Sequence, residues 1–361
     1  MEIQGSIPCG PIVIKMFRIL NLAKDVALSN FNLSKPFMLN FAVTYHCNSR
    51  CLTCSIWKKK SKNELTLEEI EKFAKENKFS WIRFTGGEPF LRSDIVEIAK
   101  VFEKYSKPYF VSIPTNSLLG ELAYKRIEEI SKLNFRLAIT VSLDGYRELH
   151  DYIRGIKGNF DKAIFLFKKL KELKKKRKNL IVMFGYTISD FNAGAFERTF
   201  NEVKKEIPDI KIEDFHVNIA HISKHFYSNK QLKLHQEKYI NEIKKVIELR
   251  KGIGFGIISE VENFYLSKCI NYIKTSKTPI QCKALVSQIF LDSYGNVYPC
   301  TIWAKKLGNI REESLKEILE KEETKKVREQ IKKGECPNCW TPCEAHPSIF
   351  GNAIELIKNK F

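Results

Sequence analysis

Apolar and polar positions along this chain alternate between two periods. Short runs rich in β-branched and aromatic residues fall at 38–44, 81–85, 109–113, 137–142, 181–187 and 212–218, each the length of a strand. Between them apolar residues recur every three or four positions, at 67–77, 94–105, 121–132, 159–176, 194–206 and 233–250, which predicts amphipathic helices. Strand–helix alternation of this kind predicts parallel βα units, and six of them predict an α/β fold built on a partial (β/α)6 TIM-like barrel.

The flanks differ. Residues 11–35 read as one amphipathic helix, with Val13, Met16, Phe17, Leu20 and Ala27 at helical spacing, expected to pack on the body of the protein. After residue 250 the alternation stops, and "SQIFLDSYGNVYPC" reads as two short strands turning at Asp292–Asn296. Three parts are therefore expected: an N-terminal helical segment (1–35), a barrel core (36–250) and a small α+β unit of hairpin plus helix (251–361).

Strand ends carry the candidate chemistry. "HCNSRC", "GGEP", "PTNS" and "SLDG" each follow a predicted strand, and parallel α/β folds bind ligands beyond the carboxyl ends of their strands. Cys47, Cys51 and Cys54 fall within eight residues, spaced C-x3-C-x2-C. A structural zinc site takes four ligands in paired knuckles, whereas three thiolates in one loop can hold three irons of a cubane and leave the fourth open.

Composition narrows the setting. At 361 residues and 43% hydrophobic the chain can bury a large core. Ten cysteines without an export-type leader point to a reducing cytoplasm. Lys15, Arg18 and Lys24 interrupt the N-terminal apolar stretch, so no run reaches the about 18 apolar residues of a spanning helix. The net charge of +19 would suit an anionic partner, but the lysines mostly pair with glutamates on predicted helices, where they read as a solvated surface.

These motifs, in this order, resemble those of radical S-adenosylmethionine (SAM) enzymes of the branch with a SPASM or twitch extension, over most of residues 36–345. "CNSRCLTC" is similar to the family's cluster loop, "FTGGEPFL" to its methionine-binding strand end, and "VSLDGYRELHDYIRG" with "GNFDKAI" to the sequence after its fourth strand. Thr53 departs from the bulky residue usual before the last cluster cysteine.

The resemblance implies a 4Fe-4S cluster on Cys47, Cys51 and Cys54, with SAM on its free iron. Gly86, Gly87, Glu88 and Pro89 would meet the methionine moiety, Glu88 accepting from its ammonium. Thr115, Asn116, Ser142, Asp144 and Arg154 would hold ribose and carboxylate, and Ile188 would touch adenine. An Asx turn at Asn116, a helix cap at Asp144 or an ion pair at Arg154 reads the same in sequence.

Cys282 through Gly295 to Cys300 is similar to the C-x(n)-G-x4-C element of twitch and SPASM domains, and Cys336, Cys339 and Cys343 follow. Five ligands cannot fill two clusters, so one auxiliary cluster, expected as 4Fe-4S, is implied, with Cys343 spare or a substitute ligand. Structural zinc on four of these thiolates is the competing reading.

The implied activity is reductive cleavage of SAM to a 5′-deoxyadenosyl radical that abstracts hydrogen from a small-molecule, peptide or lipid substrate. The auxiliary cluster would make the outcome oxidative, and a ferredoxin or flavodoxin would supply electrons. The N-terminal helix offers a route to a membrane surface. The other class of function is a zinc-stabilised basic module binding nucleic acid, which would interleave basic and aromatic residues on one surface; the small polar residues at the strand ends fit a small ligand better.

Overall fold

A computed structural model describes residues 11–33, 35–229, 235–251 and 257–358. Helix α1 (Pro11–Asn30) comes first. Strand–helix units follow: β1 (Met38–Thr44), α2 (Leu67–Glu76), β2 (Trp81–Gly86), α3 (Ile95–Tyr105), β3 (Phe110–Thr115), α4 (Glu121–Ile130), β4 (Arg136–Ser142), α5 (Arg147–Arg154), α6 (Asn159–Lys176), β5 (Leu180–Ile188), α7 (Phe196–Glu206), β6 (Phe215–Ile219) and α8 (Gln236–Leu249). The C-terminal part holds α9 (Ile257–Thr275), β7 (Gln288–Leu291), β8 (Asn296–Tyr298), β9 (Gly308–Asn309), α10 (Leu315–Glu320), α11 (Glu322–Lys332), α12 (Pro342–Gly351) and α13 (Ala353–Lys358).

The expected six parallel strands form in chain order, β6-β5-β4-β3-β2-β1, as an open barrel sheet. Leu39, Phe41, Phe84, Ile113, Ile139 and Val182 point to the helical layer and are buried, so the core lies between sheet and helices. Alternate residues point the other way, and there the strands turn polar: Arg83 and Thr85 on β2, Ser112 on β3, Thr140 and Ser142 on β4, His216 and Asn218 on β6 line one cavity. Period-two alternation thus gives one face to stability and one to a ligand.

The C-terminal part joins the barrel through its sheet. β7 pairs in parallel with β1, from Met38↔Gln288 to Phe41↔Leu291, and the hairpin extends the barrel sheet to nine strands among the described residues. The buried Asn40 side chain donates to Gln288 Oε1 at 2.9 Å across this seam. Residues 252–256, beside the expected boundary at 250/251, lie outside the described residues, as do the first ten of the N-terminal segment.

Helix α1 packs on the body as expected, but through another face. Buried Arg18 donates to the Pro108 carbonyl at 3.1 Å and pairs with Glu103 at 3.3 Å, while Leu22 and Val26 pack on Phe37, Met38 and Trp81. The stripe expected to face inward, Met16, Phe17 and Leu20, is 57–59% exposed. The polar anchors, invisible to an apolar periodicity, decide the helix's rotation. No helix among the described residues is long and apolar enough to cross a membrane.

Candidate active site

The cavity, about 300 Å³, opens where the carboxyl ends of the barrel strands converge. Cys47, Cys51 and Cys54 line it on the loop after β1. That loop has no regular structure of its own and is pinned from outside. Arg50 N–H donates to the Arg154 carbonyl at 3.0 Å, Leu52 N–H to Ile153 at 2.8 Å and Ser55 N–H to Tyr227 at 2.8 Å. Donors aim at the sulfurs as well: Arg154 Nη1 lies 3.7 Å from Cys51 Sγ and Asn116 Nδ2 3.8 Å from Cys47 Sγ, while Ser49 Oγ, which donates to the Arg154 carbonyl at 3.1 Å, lies 3.1 Å from Cys51 Sγ.

Glycines 86 and 87 are required, for a reason other than direct approach to a ligand. A Cβ on Gly86 would stand 2.0 Å from Thr44 O, and one on Gly87 2.1 Å from His46 O. Gly86 also has φ +125°, a conformation side chains resist. Without side chains, β2 closes on the start of the cysteine loop, and Gly87 and Glu88 N–H donate to Thr44 and His46 at 2.8 and 2.9 Å.

Glu88 is 1% exposed. Its carboxylate accepts from Thr115 Oγ1 (3.0 Å), Asn116 N–H (2.6 Å) and Phe90 N–H (3.2 Å), tying the end of β2 to that of β3. Burial pushes its carboxyl up to about 7 against the pull of those donors. A carboxylate has about four acceptor positions, so one remains for a ligand. Asn116 does form an Asx turn, accepting from Leu118 N–H at 3.0 Å, while its amide serves the cysteine loop through Asn48 Oδ1 at 2.8 Å.

Asp144 and Arg154 form a buried ion pair at 2.7 Å, with side chains 3% and 14% exposed. Asp144 also accepts from Thr187 N–H at 2.9 Å. Burial opposes the charge on Arg154, but Asp144 and the cluster-loop thiols outweigh it and raise its pKa. Its Nε is buried without a protein partner.

Ser142 lines the cavity. Pro89 and Ile188 do not. Pro89 is buried at the start of the 3-10 turn Pro89–Leu91, and Ile188 is fully buried in the main core, because the odd-numbered neighbour Thr187 takes the cavity-facing position.

Four of the C-terminal thiols, Cys282, Cys300, Cys336 and Cys339, do not line the barrel cavity. Burial raises the thiol pKa of Cys282 to about 12 and of Cys300, Cys336 and Cys339 as well, and mutual repulsion adds to it: Cys336 acts on Cys282, Cys282 on Cys300, and both Cys300 and Cys282 on Cys339. The turn between Cys336 and Cys339 is set by Asn338 at φ 52°, whose amide donates to Cys336 O at 2.9 Å. Trp303 N–H donates to Cys300 Sγ at 3.2 Å. Cys343 stands elsewhere: it lines the barrel cavity and takes a hydrogen bond from Arg83 Nη1 at 2.8 Å.

Residues 41–196 match the radical SAM superfamily, and residues 282–343 match an iron-sulfur cluster-binding domain, SPASM. The chain carries a radical SAM domain followed by a SPASM domain. Among curated relatives, Fe-coproporphyrin III synthase of Methanosarcina barkeri is 33% identical over 38% of this chain and 34% of the synthase. The match thus spans about a third of that relative's length. GTP 3′,8-cyclase of Campylobacter lari is 28% identical over 66% of this chain and 76% of the cyclase, and AdoMet-dependent heme synthase of M. barkeri 25% over 84% and 88%. Among solved structures, Streptococcus suis SuiB bound to S-adenosylmethionine superposes with a TM-score of 0.57 at 19% identity, covering 86% of this chain and 72% of SuiB, a likeness of fold.

A radical SAM domain with a SPASM domain implies a 4Fe-4S cluster, SAM and auxiliary iron-sulfur chemistry. The residues fit such groups. Three thiols share one short loop beside the cavity; burial pushes those of Cys47 and Cys54 up to about 11 and about 12, and a metal centre deprotonates a coordinating thiol outright. The orphaned Arg154 Nε calls for an acceptor beside them.

Sequence reasoning missed several lining residues. Arg83, His221, Phe226, Tyr227, Thr341 and Pro342 all face the cavity. Only Arg83 gave a usable signal, a charged residue inside an otherwise apolar strand. The segment 221–229 carries no motif, yet Asn229 Nδ2 donates to Thr53 O at 2.9 Å and to His221 O at 2.8 Å, closing the cysteine loop.

Proposed function

We propose that this protein is a radical SAM enzyme whose first cluster sits on Cys47, Cys51 and Cys54 and whose auxiliary cluster sits on Cys282, Cys300, Cys336 and Cys339. Bound together at the first site, a reduced cluster and SAM would supply the one-electron chemistry that breaks the sulfonium carbon–sulfur bond, with 5′-deoxyadenosine formed once a hydrogen atom is taken from the substrate. The chain's own part is placement. Glu88 keeps one acceptor position for the SAM ammonium, Arg154 offers its free Nε to a carboxylate or ribose oxygen, and Thr115, Asn116 and Ser142 close the wall around them. The substrate occupies the polar barrel face beyond.

The observation that carries this reading is the convergence of three loop thiols, Glu88 and the Asp144–Arg154 pair on one cavity. Relatives named for haem synthesis and for GTP cyclisation, and a fold neighbour, SuiB, solved with its precursor peptide SuiA, differ in substrate. An auxiliary cluster held by four protein thiolates has no open iron and suits electron transfer, which supports an oxidative outcome. The polar lining favours a polar substrate over a lipidic one. Anaerobic reconstitution with iron and sulfide, followed by assay for 5′-deoxyadenosine from SAM under dithionite, tests the reading: the wild type forms it, and the Cys47/Cys51/Cys54→Ala variant does not.

A further inference from the structure

Arg83 is a cation without an anion. It sits on β2, three residues before Gly86 and therefore roughly 10 Å deeper along the strand, on the polar face of the barrel. Its register partners are Asn40 on β1 and Ser112 on β3. A guanidinium carries five N–H donors in a fixed fork, of which the structure engages two: Nε with Ser112 Oγ at a long 3.4 Å, and Nη1 with Cys343 Sγ at 2.8 Å. Among the described residues no carboxylate lies within ion-pair distance of it.

Three acids of this region are engaged, and Glu88, which keeps one acceptor position, stands beyond the end of β2. Glu344 accepts from Thr301 N–H and Oγ1 at 3.0 Å each and from Thr341. Glu262 pairs with His216 at 2.9 Å, and Asp144 pairs with Arg154. The same cavity wall also carries the neutral hydrogen-bonding groups Ser112, Thr140, Asn218 and Thr341. A guanidinium lining a cavity with unused donors and neutral polar neighbours is the arrangement that receives a carboxylate or phosphate by paired hydrogen bonds.

We propose that Arg83, with Ser112 beside it, anchors an anionic group, a carboxylate or a phosphate, of the substrate inside the barrel, and that Cys343 is a cavity-facing thiol at this anchor. This rests on the proposed function in taking the cavity as the substrate's, but its test does not depend on SAM cleavage.

Cys343 supplies the probe. Reconstituted protein is treated anaerobically, without SAM, with anionic iodoacetate or neutral iodoacetamide, and labelling of Cys343 is followed by peptide mass spectrometry, each rate divided by that of free cysteine. Attraction to Arg83 should give iodoacetate an advantage of about tenfold, the scale of charge focusing in a cleft. Arg83→Met should abolish that advantage and Arg83→Lys, which keeps the charge, should retain most of it. At matched ionic strength against chloride, protection by inorganic phosphate marks a phosphate-bearing substrate, and protection by acetate marks a carboxylate. Equal rates for the two reagents, equal loss in both variants, or protection by neither anion would overturn the proposal. So would a Cys343 that resists both reagents, since its sulfur would then be on iron. Absence of 5′-deoxyadenosine with an intact charge preference would count against the radical SAM assignment alone.

Discussion

A single added methyl group separates the two roles of the GGEP turn. At Gly87 it would meet the His46 carbonyl at 2.1 Å, a backbone atom that cannot swing away. Gly87→Ala should therefore displace the cysteine loop, and iron bound after reconstitution should fall well below wild type while the far-ultraviolet spectrum stays native. Full iron retention would show that the loop tolerates the shift. Arg154 gives a second residue-level test. Removing one partner of a buried ion pair leaves the other charge unpaired, which costs about 3 kcal/mol. Arg154→Met should lower the urea-unfolding free energy by that order, and adding Asp144→Asn should restore much of it. At this scale the sequence was informative about identity but not about role. Cys47, Cys51, Cys54, Glu88 and Arg154 stand in the cavity as their motifs implied. Ile188 packs in the core while Thr187 lines the cavity, because strand parity depends on a register that one residue changes.

Among the elements, the unheralded segment 221–229 ties the most together. His221 Nδ1–H donates to Ile219 O at 2.9 Å, and its Nε2 accepts from Trp340 N–H at 3.0 Å, which fixes a neutral ring between β6 and the Cys336–Cys339 turn. Burial pushes its pKa down to about 4. The unfolded ring titrates near 6.5, so the unfolded state binds the extra proton between these values and stability must fall as pH drops through that window. From pH 7.5 to 5.5 this one residue accounts for a loss of about 1 kcal/mol. In His221→Gln the acid-side fall in the urea-unfolding free energy should be smaller by that amount, and an unchanged fall would place the proton uptake elsewhere. The strands and helices of the barrel were legible because period-two and period-3.6 patterns record burial directly. The rotation of α1 and the joining of β7 to β1 were not, since both are decided by polar side chains at a distance: Arg18 on Pro108, and Asn40 on Gln288.

For the molecule as a whole, two thiol sets are held by one continuous sheet. The loop after β1 carries the first set, and β7, paired with that same strand, leads through the hairpin to Cys300 of the second. Removing Cys282 and Cys300 should leave about four of about eight irons per chain, the content of one of two 4Fe-4S clusters, with SAM cleavage retained. Loss of all iron would mean the two sites do not assemble independently. The separateness expected of a C-terminal unit follows from a change of pattern, and pattern does not report sheet pairing.

The central claim is that three thiols after β1 carry a cluster that engages SAM, and spectroscopy reads it most directly. Dithionite-reduced protein carrying only this cluster (Cys282/Cys300→Ala) should give an electron paramagnetic resonance signal that shifts on adding SAM, with 5′-deoxyadenosine formed in step. A reduced signal indifferent to SAM, or no iron on this loop at all, would contradict the account.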